Sequence, residues 1–159
     1  MEYGEYLRFC RKERNLYQND VAEALICSVQ AVSKYEAGKI EIGLESVDRI
    51  AKLFKISVKD FFSKNINADT YIETLEFSSH RLSTYLIYLR KKQKITQKYL
   101  GEQLHIAYKK ISKWETEASL PSLDELLVVA QYYDIDIRDL YYANIEDGEL
   151  DILKRRKRK

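Results

Sequence analysis

Apolar residues recur along this chain at helical rather than strand spacing. In its second half Tyr85, Leu86 and Leu89 share one helical face, and Ile111 and Trp114 stand at i and i+3. Between them, Leu100 and Leu104 follow Thr96, whose hydroxyl can accept from the unpaired N–H groups of a helix start. Pro121-Ser122 opens a further helix through Leu123, Leu126, Leu127 and Ala130. Asp136, with Asp139 three residues on, caps a last turn that packs Ile137 and Leu140. The pattern predicts five helices. Only "TYIETLEF", residues 70–77, alternates weakly in the manner of a strand, and it reads as a short helix in the connector.

The same pattern occurs twice. At an offset of 79, Tyr6 to Asp60 aligns with Tyr85 to Asp139 without a gap. Identical pairs include Leu7/Leu86, Arg11/Arg90, Gln18/Gln97, Leu25/Leu104, Glu36/Glu115, Leu44/Leu123, Ala51/Ala130 and Ile56/Ile135. Conservative pairs such as Val32/Ile111, Tyr35/Trp114, Phe54/Tyr133 and Val58/Ile137 occupy apolar positions, as two copies filling one kind of core require. The chain therefore divides into a first domain at 1–63, a connector at 64–79, a second domain at 80–145, and an acidic then basic tail at 146–159. Both domains are expected to be all-α.

Composition narrows the function classes. The 159 residues are 45% hydrophobic, enough for two modest cores. The longest apolar runs, such as "LLVVA" from Leu126, are far too short to span a bilayer, and no charged-then-apolar leader opens the sequence, so a cytoplasmic location is expected. Cys10 and Cys27 form no CxxC and have no nearby histidine; they read as small buried hydrophobes, with neither metal nor disulfide expected. No paired carboxylates, activated nucleophile or metal cluster stands outside the helix pattern, which argues against an enzyme and against a cofactor. His80 and His105 are isolated.

Charge is distributed unevenly. The net charge is +2, yet the last six residues, Lys154 to Lys159, are all basic, so the remainder carries −4. Such a run reads as a solvated tail or as a non-specific contact for phosphates. Residues 1–62 hold ten basic and ten acidic groups, whereas 81–142 hold ten and eight.

"TQKYLGEQLHIAYKKISKWE", followed by "PSLDELLVVAQYYDIDIRDLY", resembles the helix-turn-helix domain of the lambdoid phage repressor and Cro family, also called the Xre family. "YQNDVAEALICSVQAVSKYEAGK" with "GLESVDRIAKLFKISVKDFF" resembles it again. The resemblance implies two tandem five-helix lambda-repressor-like DNA-binding domains and a sequence-specific transcriptional regulator of double-stranded DNA, most simply a repressor by steric occlusion. The rival reading is a protein-interaction module, such as an antitoxin or an assembly factor.

In that family the third helix enters the major groove and its first residues face base edges. Carried over by position, the base-reading candidates are Val29, Gln30 and Lys34 beside Ser33, with Ser28 preceding them, and Tyr108, Lys109 and Lys113 beside Ser112. Glutamine can bond an adenine edge, lysine can donate to guanine, and valine can pack on a thymine methyl. Gln18 and Gln97 match the family's phosphate-contacting glutamine, and Lys98 and Lys110 add phosphate charge. Copy two and the tail should thus supply phosphate neutralisation, and copy one selectivity. The resemblance makes Arg11/Glu36 and Arg90/Glu115 internal ion pairs, and Tyr35 and Trp114 core residues.

The chain also departs from the family pattern. Ile26 and His105 stand where the motif's turn has glycine, so a rebuilt turn or a left-handed residue is expected. Glu117 replaces the glycine present at Gly38, Ala107 replaces a hydroxyl cap, and Tyr17 replaces a threonine cap. Conventional members dimerise to read half-sites about 34 Å apart. Here residues 63–80, extended at about 3.3 Å each, would reach on the order of 60 Å, enough for both copies to dock on one duplex. A homodimer through Tyr132, Tyr133, Tyr141 and Tyr142 is the other arrangement considered. An effector is not legible.

Overall fold

The computed structural model describes residues 1–144. The basic run at Lys154 to Lys159 lies outside the described residues. Among those described, the chain is all-helical and forms two compact units, one ending at Glu76 and the other starting at Phe77. The first contains α1 (Tyr3–Glu13), α2 (Gln18–Leu25), α3 (Val29–Glu36), α4 (Leu44–Phe54) and α5 (Val58–Ser63). The second contains α6 (Ser79–Lys92), α7 (Gln97–Leu104), α8 (Tyr108–Glu115), α9 (Leu123–Tyr133) and α10 (Ile137–Tyr142).

Each unit closes over the residues that the offset pairs. Leu7, Val21, Val32, Ile50, Phe54 and Phe61 are buried in the first; Leu86, Leu100, Ile111, Val129 and Leu140 are buried in the second. Each such aliphatic or aromatic side chain contributes about 1.5 to 3 kcal/mol of transfer free energy, so no single helix needs to be stable alone. Trp114 is only 2% exposed and Tyr35 is half-buried, which makes both of them packing residues.

Helix starts follow local chemistry. The hydroxyl of Thr96 accepts from the Tyr99 N–H at 3.0 Å, and that of Ser28 from the Ala31 N–H at 3.1 Å. Ser122 and Glu125 cap reciprocally: the Ser122 hydroxyl accepts from the Glu125 N–H at 3.2 Å, and the Glu125 carboxylate accepts from the Ser122 N–H at 2.9 Å. At Tyr17, where threonine is missing, the Asp20 carboxylate accepts from the Tyr17 N–H at 2.6 Å. Ala107 gives α8 no side-chain cap.

Three expectations need correction. Residues 70–77 form no helix: the Tyr71 N–H donates to the Lys55 carbonyl at 2.9 Å, Glu73 is buried, and Glu76 pairs with Lys52 at 2.6 Å. Backbone laid along the end of α4 in this way cannot also close helical hydrogen bonds, nor can it serve as free tether. Tyr141 and Tyr142 are buried, with Tyr141 stacked on Phe77 at 4.6 Å between centroids, and Tyr132 and Tyr133 are half-buried; α10 thus spends its aromatics on its own core rather than on a dimer surface. Cys10 is buried, but Cys27 is only half-buried, because it lies in the turn after α2.

Candidate nucleic-acid interface

In both units one carboxylate holds the first three helices together. The Arg11 guanidinium donates to Glu36 from Nε at 2.6 Å and from a terminal nitrogen at 3.0 Å, while its other terminal nitrogen donates to the Leu16 carbonyl at 3.0 Å. The second unit repeats this: Arg90 donates to Glu115 at 2.6 and 2.8 Å and to the Ile95 carbonyl at 2.9 Å. A bidentate fork of this kind fixes orientation as well as charge. Burial pushes the Glu36 carboxyl up, but hydrogen bonds from Arg11 and Gln18 outweigh it and hold the carboxyl below its ordinary value.

The same carboxylate takes a third donor. The side-chain amide of Gln18 donates to Glu36 at 3.0 Å, and that of Gln97 donates to Glu115 at 2.8 Å. The family resemblance assigns these glutamines to phosphate, and nothing in their spacing signals this bond. An amide carries two hydrogens, so each glutamine keeps one N–H for another acceptor, and the bond to glutamate sets where that N–H points.

Beyond this anchor, Ser28, Val29, Gln30, Ser33 and Lys34 are exposed on and before α3. Their counterparts Tyr108, Lys109, Lys110 and Lys113 are exposed on α8, as is Lys98 on α7, while Ser112, Gln18 and Gln97 are half-buried. Gln30 and Lys34 lie one turn apart and share a face, as do Lys109 and Lys113. Ser28 is already engaged as the cap of α3. Lys110 is engaged too, as its ammonium pairs with Glu125, whose carboxyl burial pushes up and this contact, with its bond from Ser122, brings below the ordinary value. That contact joins residues fifteen apart and leaves no periodic signal in the sequence.

The turn between the motif helices keeps its shape despite its residues. Ile26 has φ 55° and ψ 49°, and His105 has φ 55° and ψ 40°, both left-handed. The turns close normally, with the Cys27 N–H donating to the Ala22 carbonyl at 3.0 Å and the Ile106 N–H to the Gly101 carbonyl at 2.9 Å. A β-branched residue is strained there, and Ile26 is 79% exposed, so it gains little by packing. Ile26→Gly is therefore expected to stabilise the first unit by about 1 kcal/mol, read by chemical denaturation; an unchanged or lower midpoint would show that the side chain compensates for its backbone. Under the second turn, a side chain at Gly101 would put its Cβ 2.6 Å from the Ile106 carbonyl oxygen, so close helix–turn approach explains that glycine.

His80 is not isolated: its Nδ1 lies 2.5 Å from a carboxylate oxygen of Glu117, which is itself the left-handed residue after α8. Among the described residues no group of three or more His, Cys, Asp or Glu is placed to hold a metal, and no helix is long and apolar enough to cross a membrane.

Comparison with known proteins agrees with this geometry. A family model described as helix-turn-helix matches residues 7–61 and again 86–140. The chain is 38% identical over 63 residues to the HTH-type transcriptional activator BcrR of Enterococcus faecalis, covering 40% of this chain and 31% of that protein. It is 37% identical over 49 residues to the uncharacterized HTH-type transcriptional regulator YobD of Bacillus subtilis (strain 168), covering 31% of this chain and 44% of that one. The chain thus spans less than half the length of either relative. No solved structure matches. With two matched segments that between them span most of the chain, each built on the same Arg–Glu–Gln anchor, the protein belongs to the Cro/C1-type helix-turn-helix family as a tandem member.

Proposed function

We propose that this protein is a sequence-specific double-stranded DNA-binding regulator of transcription that inserts α3 and α8 into the major groove. The observation that carries the reading is the pairing of an inward-held Arg–Glu–Gln anchor with an exposed row of groove-compatible side chains in both units. Gln30 can read an adenine edge and Lys34 a guanine, while Lys98, Lys109 and Lys113 supply positive charge to phosphates or guanines. Because the two faces differ, the target would be an asymmetric pair of half-sites. Regulation would follow from occupancy, as a repressor acts by steric occlusion; one relative bears the name of an activator, so the direction of control depends on where the site lies.

The test is selection of bound duplexes from a random pool, followed by titration of alanine variants. Q30A and K34A should each cost about 1 to 3 kcal/mol on the selected duplex, with relaxed preference at one base position. Equal losses on selected and scrambled duplexes would sink the groove-reading role. Failure of the intact protein to retain any duplex would favour the interaction-module reading instead.

A further inference from the structure

The two helices α3 and α8 have the same length and the same Arg–Glu–Gln anchor, but their local supports differ. The helix α3 starts on a serine hydroxyl that caps it, whereas α8 starts at Ala107 with no side-chain cap. After α3 the left-handed position is Gly38 at φ 66°; after α8 it is Glu117 at φ 61°. The helix packed beneath has Ala22 in one unit and Gly101 in the other, and glycine is a poor helix former. On the exposed face, Gln30 and Lys34 become Lys109 and Lys113, like charges at i, i+4 that repel. Inward, α8 buries Ile111 and Trp114 where α3 has Val32 and the half-buried Tyr35; apart from that larger packing, what α8 gains in exchange is at the surface: the contact of His80 with Glu117, and the pair of Lys110 with Glu125. Such exposed contacts add little.

We infer that α8 is the less stable of the two helices in the free protein and that binding a nucleic-acid polyanion stabilises it, so that ordering of the second unit's reading helix is coupled to phosphate contact. A missing cap and a left-handed glutamate act whether or not DNA is present. The lysine repulsion, by contrast, is relieved when phosphates approach Lys109 and Lys113. The helix α3, capped and carrying one lysine, has no equivalent response. The coupling rests on the DNA-binding reading; the difference between the free helices does not.

Amide hydrogen exchange on the full-length protein separates the two parts. In the free protein the amides of residues 112–115 should exchange about tenfold faster than those of 33–36, after correction for intrinsic rates. The double variant A107S/E117G should close most of that gap. Addition of a random-sequence DNA duplex of about 20 base pairs should slow residues 112–115 more than 33–36, and less so in K109Q/K113Q, where the repulsion is already gone. Equal exchange of the two helices in the free protein overturns the inference whatever DNA does. Equal slowing of both by a bound duplex overturns the coupling. No binding of any duplex overturns the proposed function and the coupling with it, while faster exchange of α8 in the free protein would still uphold the stability difference.

Discussion

Replacing Glu36 or Glu115 by alanine is expected to destabilise the unit that carries it by about 3 to 5 kcal/mol, because the change leaves a largely buried arginine without its anion. The Arg11 and Glu36 side chains are 12% and 5% exposed, and Arg90 and Glu115 are 13% and 6% exposed, so water can replace the lost partner only poorly. The glutamine amide loses its acceptor at the same time. A glutamine substitution keeps the shape and one acceptor oxygen and should cost less. Acid should act in the same direction at Glu36. Its folded pKa lies below the unfolded value, so the contribution is fully present above about pH 4.5 and is lost as pH falls through the folded value. Denaturant titrations of the two alanine variants check this, and parent-like midpoints in both would show that the anchor does not hold the helices together.

Gly4→Ala should be nearly as damaging, at about 3 kcal/mol, while the matching change in the other unit should do the opposite. A Cβ at Gly4 would lie 2.0 Å from the Tyr35 carbonyl oxygen and 3.1 Å from its carbon. Both are backbone atoms near the end of α3, so no rotamer change relieves the contact and α1 must move away. That movement would pull Arg11 from Glu36. The position 79 residues on is Ser83, whose buried hydroxyl has no hydrogen-bond partner. Ser83→Ala removes an unsatisfied polar group from a site that already accommodates a Cβ and should gain up to about 1 kcal/mol. Thermal melts of both variants decide the matter; a destabilised Ser83→Ala would mean that the hydroxyl fills space the methyl cannot.

The ten helices among the described residues are legible because their signals are local. Leu100 and Leu104 repeat at helical spacing, Thr96 and Ser122 announce helix starts, and the second copy checks the first. The Arg–Glu pairs were reached through family position rather than spacing, since 25 residues separate the partners. What escaped the sequence was long-range and unpatterned. The Gln18–Glu36 and Gln97–Glu115 bonds, His80 on Glu117 and Lys110 on Glu125 join residues on different elements, and nothing in their separation favours one partner over another. Residues 70–77 were misread for a related reason. Their alternation fits an extended segment, but only the Lys55 carbonyl at the end of α4 shows what the backbone binds instead of itself. Tyr141 and Tyr142 looked available because aromatic pairs suit both cores and interfaces, and burial alone distinguishes the two.

The division of α3 and α8 into inward and outward positions has a consequence for how such a protein can change. Val32 and Glu36, and likewise Ile111 and Trp114, are buried, whereas Val29, Gln30 and Lys34, and likewise Tyr108, Lys109 and Lys113, face solvent. No residue in either trio belongs to the Arg–Glu–Gln anchor. A substitution at one of these outward positions therefore asks for no compensating change inside. Two halves built alike can therefore diverge in the surface they present while remaining bound to one folding solution, and grafting a trio from one half onto the other would be an exchange of vocabulary with the grammar left intact.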